Sequence, residues 1–126
     1  MDIIKKDRHK ELSNFIKVLG LEESAGQFLI DQIDQSLTHA SSGKTRNLEK
    51  LEFLGDAVLR LAATEFIEHH HANLSVGACS NLRAQLVSDR WLANVGATIE
   101  IDKYLLLGRH AERDRSAKSR LRADAT

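Results

Sequence analysis

The sequence predicts an all-α fold, a helical bundle, on three observations. Its 126 residues contain no proline, no stretch alternates polar and apolar residues as a half-buried strand does, and apolar residues recur at helical spacing between short connections. Lys6 to Leu19 places Leu12, Phe15, Ile16 and Leu19 on one face and meets a helix stop at Gly20. Glu22 to Ile33 carries Phe28, Leu29 and Ile33 in a shorter second helix. The polar run from Thr38 to Asn47 connects it to a third, with Asn47 as N-cap, Glu49 in the first turn and an end near His69. Ser80 to Val95 sets Leu82, Leu86, Trp91 and Val95 on one further helix before Gly96, and Asp102 to Leu107 is a short apolar patch. No repeat or low-complexity linker interrupts the chain, so residues 1–126 read as one domain.

Composition narrows the class. A hydrophobic fraction of 42% without any run long enough to span a bilayer argues against a membrane protein. The charged N-terminus lacks the apolar centre of a secretory signal, which favours the cytoplasm, and the single cysteine, Cys79, reads as a small core residue. Lys plus Arg and Asp plus Glu both number 18, so net charge does not advertise a nucleic-acid partner. The distribution is uneven, however. Arg109, Arg113, Arg115, Lys118, Arg120 and Arg122 crowd the C-terminal stretch, while acidic residues gather on the third helix. A basic strip beside an acidic site suits a phosphodiester, with cations on phosphates and carboxylates on a metal; a solvated, charge-rich helix face is the other reading.

The helix from Asn47 to Leu61 carries the chemistry. Glu49, Glu52 and Asp56 at i, i+3 and i+7 stack three carboxylates on one stripe, beside an apolar stripe of Leu51, Leu54, Val58 and Leu61 that can face a core. Carboxylate repulsion and Gly55 both weaken the helix locally. A divalent cation with hard oxygen ligands, Mg2+, would relieve the repulsion; an ordinary solvated acidic face would carry the same spacing. Other features read as structure. Gly43-Lys44-Thr45 lacks the earlier glycine and the preceding strand of a phosphate-binding loop, His69, His70 and His71 point in different directions on a helix, and Trp91 falls on an apolar stripe. His39 fits packing and capping ahead of the third helix, without a catalytic role.

Asn47-Leu48-Glu49-Lys50-Leu51-Glu52-Phe53-Leu54-Gly55-Asp56-Ala57-Val58-Leu59 closely resembles the signature of the ribonuclease III family. Leu37-Thr38-His39-Ala40-Ser41 resembles the family's Leu-Thr-His-x-Ser, Leu82 to Ser88 its Leu-Arg-Ala-x-Leu-Val-Ser, and Arg122 to Thr126 the opening of a second acidic motif, Asp-x-x-Glu. The resemblance implies the family's helical endonuclease domain and Mg2+, for which Mn2+ can substitute, held by Glu52, Asp56 and Asp124. It also implies hydrolysis of double-stranded RNA, ribosomal RNA precursors among the substrates, to staggered ends with short 3′ overhangs. Glu49 would support the site, and Phe53 would enter a pocket of a second subunit in a homodimer. Arg109, Arg113, Arg115 and Lys118 are the candidate RNA contacts.

Two departures qualify it. Val76 stands where the family commonly has Glu, and Asp124 is followed only by Ala125 and Thr126, one residue short of the second motif's Glu. The expectation is therefore a piece of a longer protein, without its C-terminal helix or any double-stranded-RNA-binding domain, and inactive or impaired as it stands. The alternative is a nuclease-dead, RNA-binding or ribosome-associated relative.

Overall fold

The computed structural model describes residues 2–22, 26–109 and 118–126. Six α-helices make up the described residues: α1 (Asp2–Val18), α2 (Gln27–Ser36), α3 (Glu49–His70), α4 (Val76–Leu86), α5 (Asp89–Thr98) and α6 (Lys118–Ala125). Two single 3-10 turns, Ala40–Ser42 and Ile101–Lys103, join them, and among the described residues there is no strand, only an isolated parallel bridge between Thr38 and Leu106. The all-α prediction holds. No described helix is long and apolar enough to cross a membrane.

The core lies at one end. Leu12, Phe15 and Ile16 of α1 meet Ile30 and Ile33 of α2, with Leu37 and Ile101 closing the cluster and Leu29, Ile99, Tyr104, Leu105 and Ala125 packed around it. Helix α1 stops as expected, with Gly20 at φ 70°, where a side chain would be strained. Leu19 lies past the helix end and is exposed, and α2 begins at Gln27, later than Glu22, so that Ile30 and Ile33 point inward while Phe28 is 78% exposed. Arg8 clasps this end: its Nε donates to Asp34 at 2.9 Å and its Nη1 to the Tyr104 carbonyl at 2.8 Å. One guanidinium thereby joins α1, α2 and the segment after the second 3-10 turn.

Two sequence expectations are corrected. The helix foreseen over Ser80 to Val95 is two helices, because the Ser88 hydroxyl accepts the Trp91 N–H at 3.2 Å and starts α5 afresh. Trp91, on the first turn after the break, is 49% exposed and not a core residue. The second correction concerns the apolar stripe of α3. Leu54, Val58 and Leu61 are 59%, 58% and 61% exposed, since α3 buries only Ala63 and Ile67 and the core forms without it. Cys79 is half-buried, outside the core cluster.

Candidate active site

The start of α3 is placed by Asn47, whose Oδ1 accepts the Glu49 N–H at 3.1 Å while its carbonyl accepts from Gln35 of α2 at 3.1 Å. Glu52, one turn along, is exposed, yet its carboxyl is held above the usual carboxylate range. Partial loss of water is the main cause and the negative charge of Asp124 the next, with Asp89 and Glu49 adding to it and Arg120 opposing. Asp124 on α6 is raised too, first by burial, with Asp89 adding and Arg120 and His39 opposing. The fold thus brings Asp124, near the C-terminal end of the sequence, within electrostatic reach of Glu52 in its middle.

What places Asp124 there is the seating of α6 on α5. Ala93 and Gly96 are buried at this contact, and a Cβ on Gly96 would come within 2.5 Å of the Thr126 hydroxyl and 3.4 Å of Arg122 Cβ. Arg122 also grips Asp102 with Nε and Nη2, at 2.9 and 2.6 Å. Asp89 stands at i−4 from Ala93 and i−7 from Gly96, on the same face of α5, and so joins the two carboxylates. The sequence reading missed Asp89. Its signal was the Ser88-Asp89 pair, a cap and an acidic first turn hidden inside what read as one continuous helix.

Asp56 lies a turn beyond Glu52, with its carboxylate bonded to Arg60 Nε at 3.1 Å, both side chains more than half exposed. Among the described residues no three His, Cys, Asp or Glu side chains converge closely enough to ligate one ion. Two carboxylates fit Mg2+, which is usually held by one or two protein oxygens together with water and phosphate. Both pKa values are raised, first by loss of water and then by neighbouring carboxylates, Asp124 on Glu52 and Asp89 on both, and a divalent cation would relieve that penalty.

Glu49 is exposed beside Glu52, and Phe53 is 86% exposed. Val76, at the usually acidic position, is 84% exposed at the start of α4. Of the basic strip, Arg109 is exposed; Arg113 and Arg115 lie outside the described residues, as does the side chain of Lys118 at the start of α6. Arg122 is committed to Asp102, which leaves Arg120 as the described arginine of α6 that acts on the carboxylates. Gly43, Lys44 and Thr45 border a cavity of about 460 Å³ whose lining includes Asp31 and Asp34. The tract follows a 3-10 turn instead of a strand, so it remains outside the site.

A helical domain that assembles carboxylates from separate helices beside an arginine defines a class, and over residues 30–126 the chain matches the Ribonuclease-III-like family, to which it belongs. Among its relatives, Ribonuclease 3 of Prochlorococcus marinus is 41% identical over all of this chain and 53% of its own length. Ribonuclease 3 2 of Synechocystis is 38% identical over 94% of this chain and 48% of its own length. The chain therefore spans about half the length of the curated relatives it matches. The nuclease domain of ribonuclease III from Campylobacter jejuni superimposes with a TM-score of 0.76 at 30% identity, covering 88% of this chain and 74% of that one. A second structure of that domain, described for structural flexibility in a region involved in dimer formation, gives 0.71 at 29% identity, over 87% and 80%.

Proposed function

We propose that this domain is a Mg2+-dependent endoribonuclease that cleaves double-stranded RNA, ribosomal RNA precursors among its substrates, to staggered ends with short 3′ overhangs, and that it works in the cytoplasm as a homodimer. The observation that carries this reading is the acidic charge of Asp124 acting on Glu52: both carboxylates are raised first by loss of water, Glu52 next by Asp124, and Asp124 further by Asp89. Glu52 and Asp124 would hold the ion, Asp56 would join them from one turn along α3 by leaving Arg60, and Mn2+ can take the place of Mg2+. When bound, the ion supplies a nucleophilic water at neutral pH and polarises the phosphate. Glu49 supports Glu52, while Arg120 and Arg109, with Arg113, Arg115 and Lys118, hold RNA phosphates and give binding its salt dependence. Recognition follows the shape of the A-form duplex more than its sequence.

The homodimer rests on the exposed face of α3. Leu54, Val58 and Leu61 form an exposed apolar stripe with Phe53 beside it, as expected of a face that meets a protein partner. The Campylobacter neighbour, described for a region involved in dimer formation, supports a second copy as that partner.

The nuclease-dead, RNA-binding or ribosome-associated reading draws on Val76, apolar where the family is commonly acidic, and on the pairing of Asp56 with Arg60. One assay separates the two. With Mg2+ or Mn2+, the protein extended past Thr126 cuts a long duplex RNA and its Asp124→Asn variant binds the RNA without cutting. Extended wild-type protein that binds duplex RNA and never cuts it would establish the second reading.

A further inference from the structure

The loop between the first 3-10 turn and α3 carries two cations that neither the acidic site nor the core uses. Lys44 and Arg46 are exposed, two residues apart, and among the described residues neither forms an ion pair. The backbone that presents them is fixed. Gly43 turns the chain at φ 76°, the Lys44 N–H donates to the Ser42 hydroxyl at 3.3 Å, and the Asn47 side-chain amide donates to the Lys44 carbonyl at 3.0 Å.

The Arg46 side chain is held as well. Its Nε donates to Gln35 Oε1 at 2.9 Å, while Gln35 Nε2 donates to the Asn47 carbonyl at 3.1 Å. A guanidinium can only donate and a carbonyl can only accept, so these two bonds settle which end of the Gln35 amide faces Arg46. Anchored through Nε, Arg46 keeps Nη1 and Nη2 free, and among the described residues neither nitrogen has a partner. A planar, permanently charged fork with free donors matches the oxygens of a phosphate, and its orientation is set before any ligand arrives.

Charge balance in the neighbouring cavity decides the sign of that ligand. Asp31 and Asp34 line it together with Lys44 and Arg46. Asp34 is paired with Arg8 at 2.9 Å, and Asp31 accepts from the neutral Gln27 amide at 2.8 Å. Setting Asp34 against Arg8 leaves two cations facing one carboxylate, so the rim is net positive and favours an anion. The acidic site is close by. Leu48 is the N-cap of α3 and Glu52 lies one turn beyond it, so two residues of chain and four of helix put the Cα atoms of Arg46 and Glu52 within about 13 Å of each other. That is less than half of one duplex turn, about 34 Å.

We propose that Lys44 and Arg46 are backbone-phosphate contacts for duplex RNA, with the Arg46 fork oriented by Gln35. The inference rests on the nuclease reading and deepens it: beside the C-terminal basic strip, the loop ahead of α3 becomes a second place where the substrate backbone is held.

The experiment measures the affinity of the protein extended past Thr126 for a short duplex RNA across a salt series, without divalent metal so that binding is read apart from cleavage. Wild type is compared with Lys44→Gln, Arg46→Gln, the double variant and Lys17→Gln, which neutralises an exposed lysine in the last turn of α1. Thermal melting checks folding. Each phosphate contact contributes about 1 to the slope of log K against log salt, so the slope should fall by about 1 in each loop variant, by about 2 in the double variant, and not at all in Lys17→Gln. The Lys44 side chain makes no bond among the described residues, so Lys44→Gln keeps the test decisive should loss of the Arg46–Gln35 bond loosen the loop. Folded loop variants that keep the wild-type slope overturn the proposal and leave the nuclease reading standing. A Lys17→Gln slope that falls equally also overturns it, since bulk charge would then be the cause. Wild-type protein that binds no duplex RNA removes both.

Discussion

The two ends of the loop ahead of α3 behave in opposite ways. On one side, Leu37 is fully buried, Thr38 nearly so, and backbone groups from Leu37 to His39 bond to α2, to Leu48 just ahead of α3 and to Leu106. On the other, the first three turns of α3 leave Phe53, Leu54, Val58 and Leu61 more than half exposed, with Glu52 and Asp56 beside them. Apolar burial stabilises at about 25 cal/mol per Å², so the first region holds the monomer together while the second contributes little until something covers it. The difference marks a division of labour. The closed side fixes positions, and the open side keeps polar and apolar groups available to the proposed RNA, metal and second subunit.

Substitutions can break that division. The largest effect falls on activity: Asp124→Asn removes a ligand charge and should lower cleavage by orders of magnitude while duplex binding, which comes mainly from cationic contacts, survives. Equal cutting by wild type and variant in a Mg2+ assay would detach Asp124 from the chemistry. Stability responds most on the closed side. Leu37→Ala should cost about 2–5 kcal/mol by denaturant unfolding, the range for a buried leucine that leaves a cavity. Leu54→Ala, the same chemical change on the open face, should stay within about 0.5 kcal/mol in the monomer. Similar losses at the two positions would mean that the stripe of α3 is packed after all.

These pairs also show what was legible beforehand. Leu12, Phe15, Ile16 and Gly20 were readable because helix periodicity and stops are local; Asn47, read as the N-cap, lies one residue ahead of it, since Leu48 takes the cap position and Asn47 Oδ1 accepts the Glu49 N–H. The α3 stripe was equally periodic, but periodicity says that a face is apolar and not what covers it. The α4–α5 break was lost because Leu82, Leu86, Trp91 and Val95 keep helical register across it, so the cap at Ser88 was the only mark. At the site, Glu52 and Asp124 were singled out through their motifs. The Asp56–Arg60 pair is an i,i+4 spacing open to inspection, whereas the nearness of Asp89 and Arg120 to both carboxylates depends on how α5 and α6 cross.

Association tests the open face directly. Phe53→Ala removes an exposed aromatic and should weaken self-association by about 2–4 kcal/mol, the scale of an interface hot spot, with the monomer's melting little changed. Sedimentation of wild-type protein that shows only monomer at micromolar concentration would leave the apolar face without its proposed partner.

The smallest effect is a gain. Both Glu52 and Asp124 have pKa values raised in the folded state, so the folded protein holds their protons more tightly than the unfolded chain does. Stability on this account is full below the unfolded carboxylate pKa and falls as pH rises through the raised folded values. At neutral pH the pair is therefore a penalty, and neutralising it should help. The Glu52→Gln, Asp124→Asn double variant should be more stable than wild type at pH 7 by about 0.5 kcal/mol once solvent screening of the exposed Glu52 is allowed for, or on the order of 2 °C in Tm. The difference should shrink as both proteins are acidified through the carboxylate range, where the wild-type pair takes up protons. Mg2+ should raise the wild-type Tm and leave the variant unmoved, because the charge that the ion offsets is absent from the variant. A double variant less stable than wild type at pH 7 would show that the two carboxylates hold the fold, and the strain ascribed to the open side would have to be placed elsewhere.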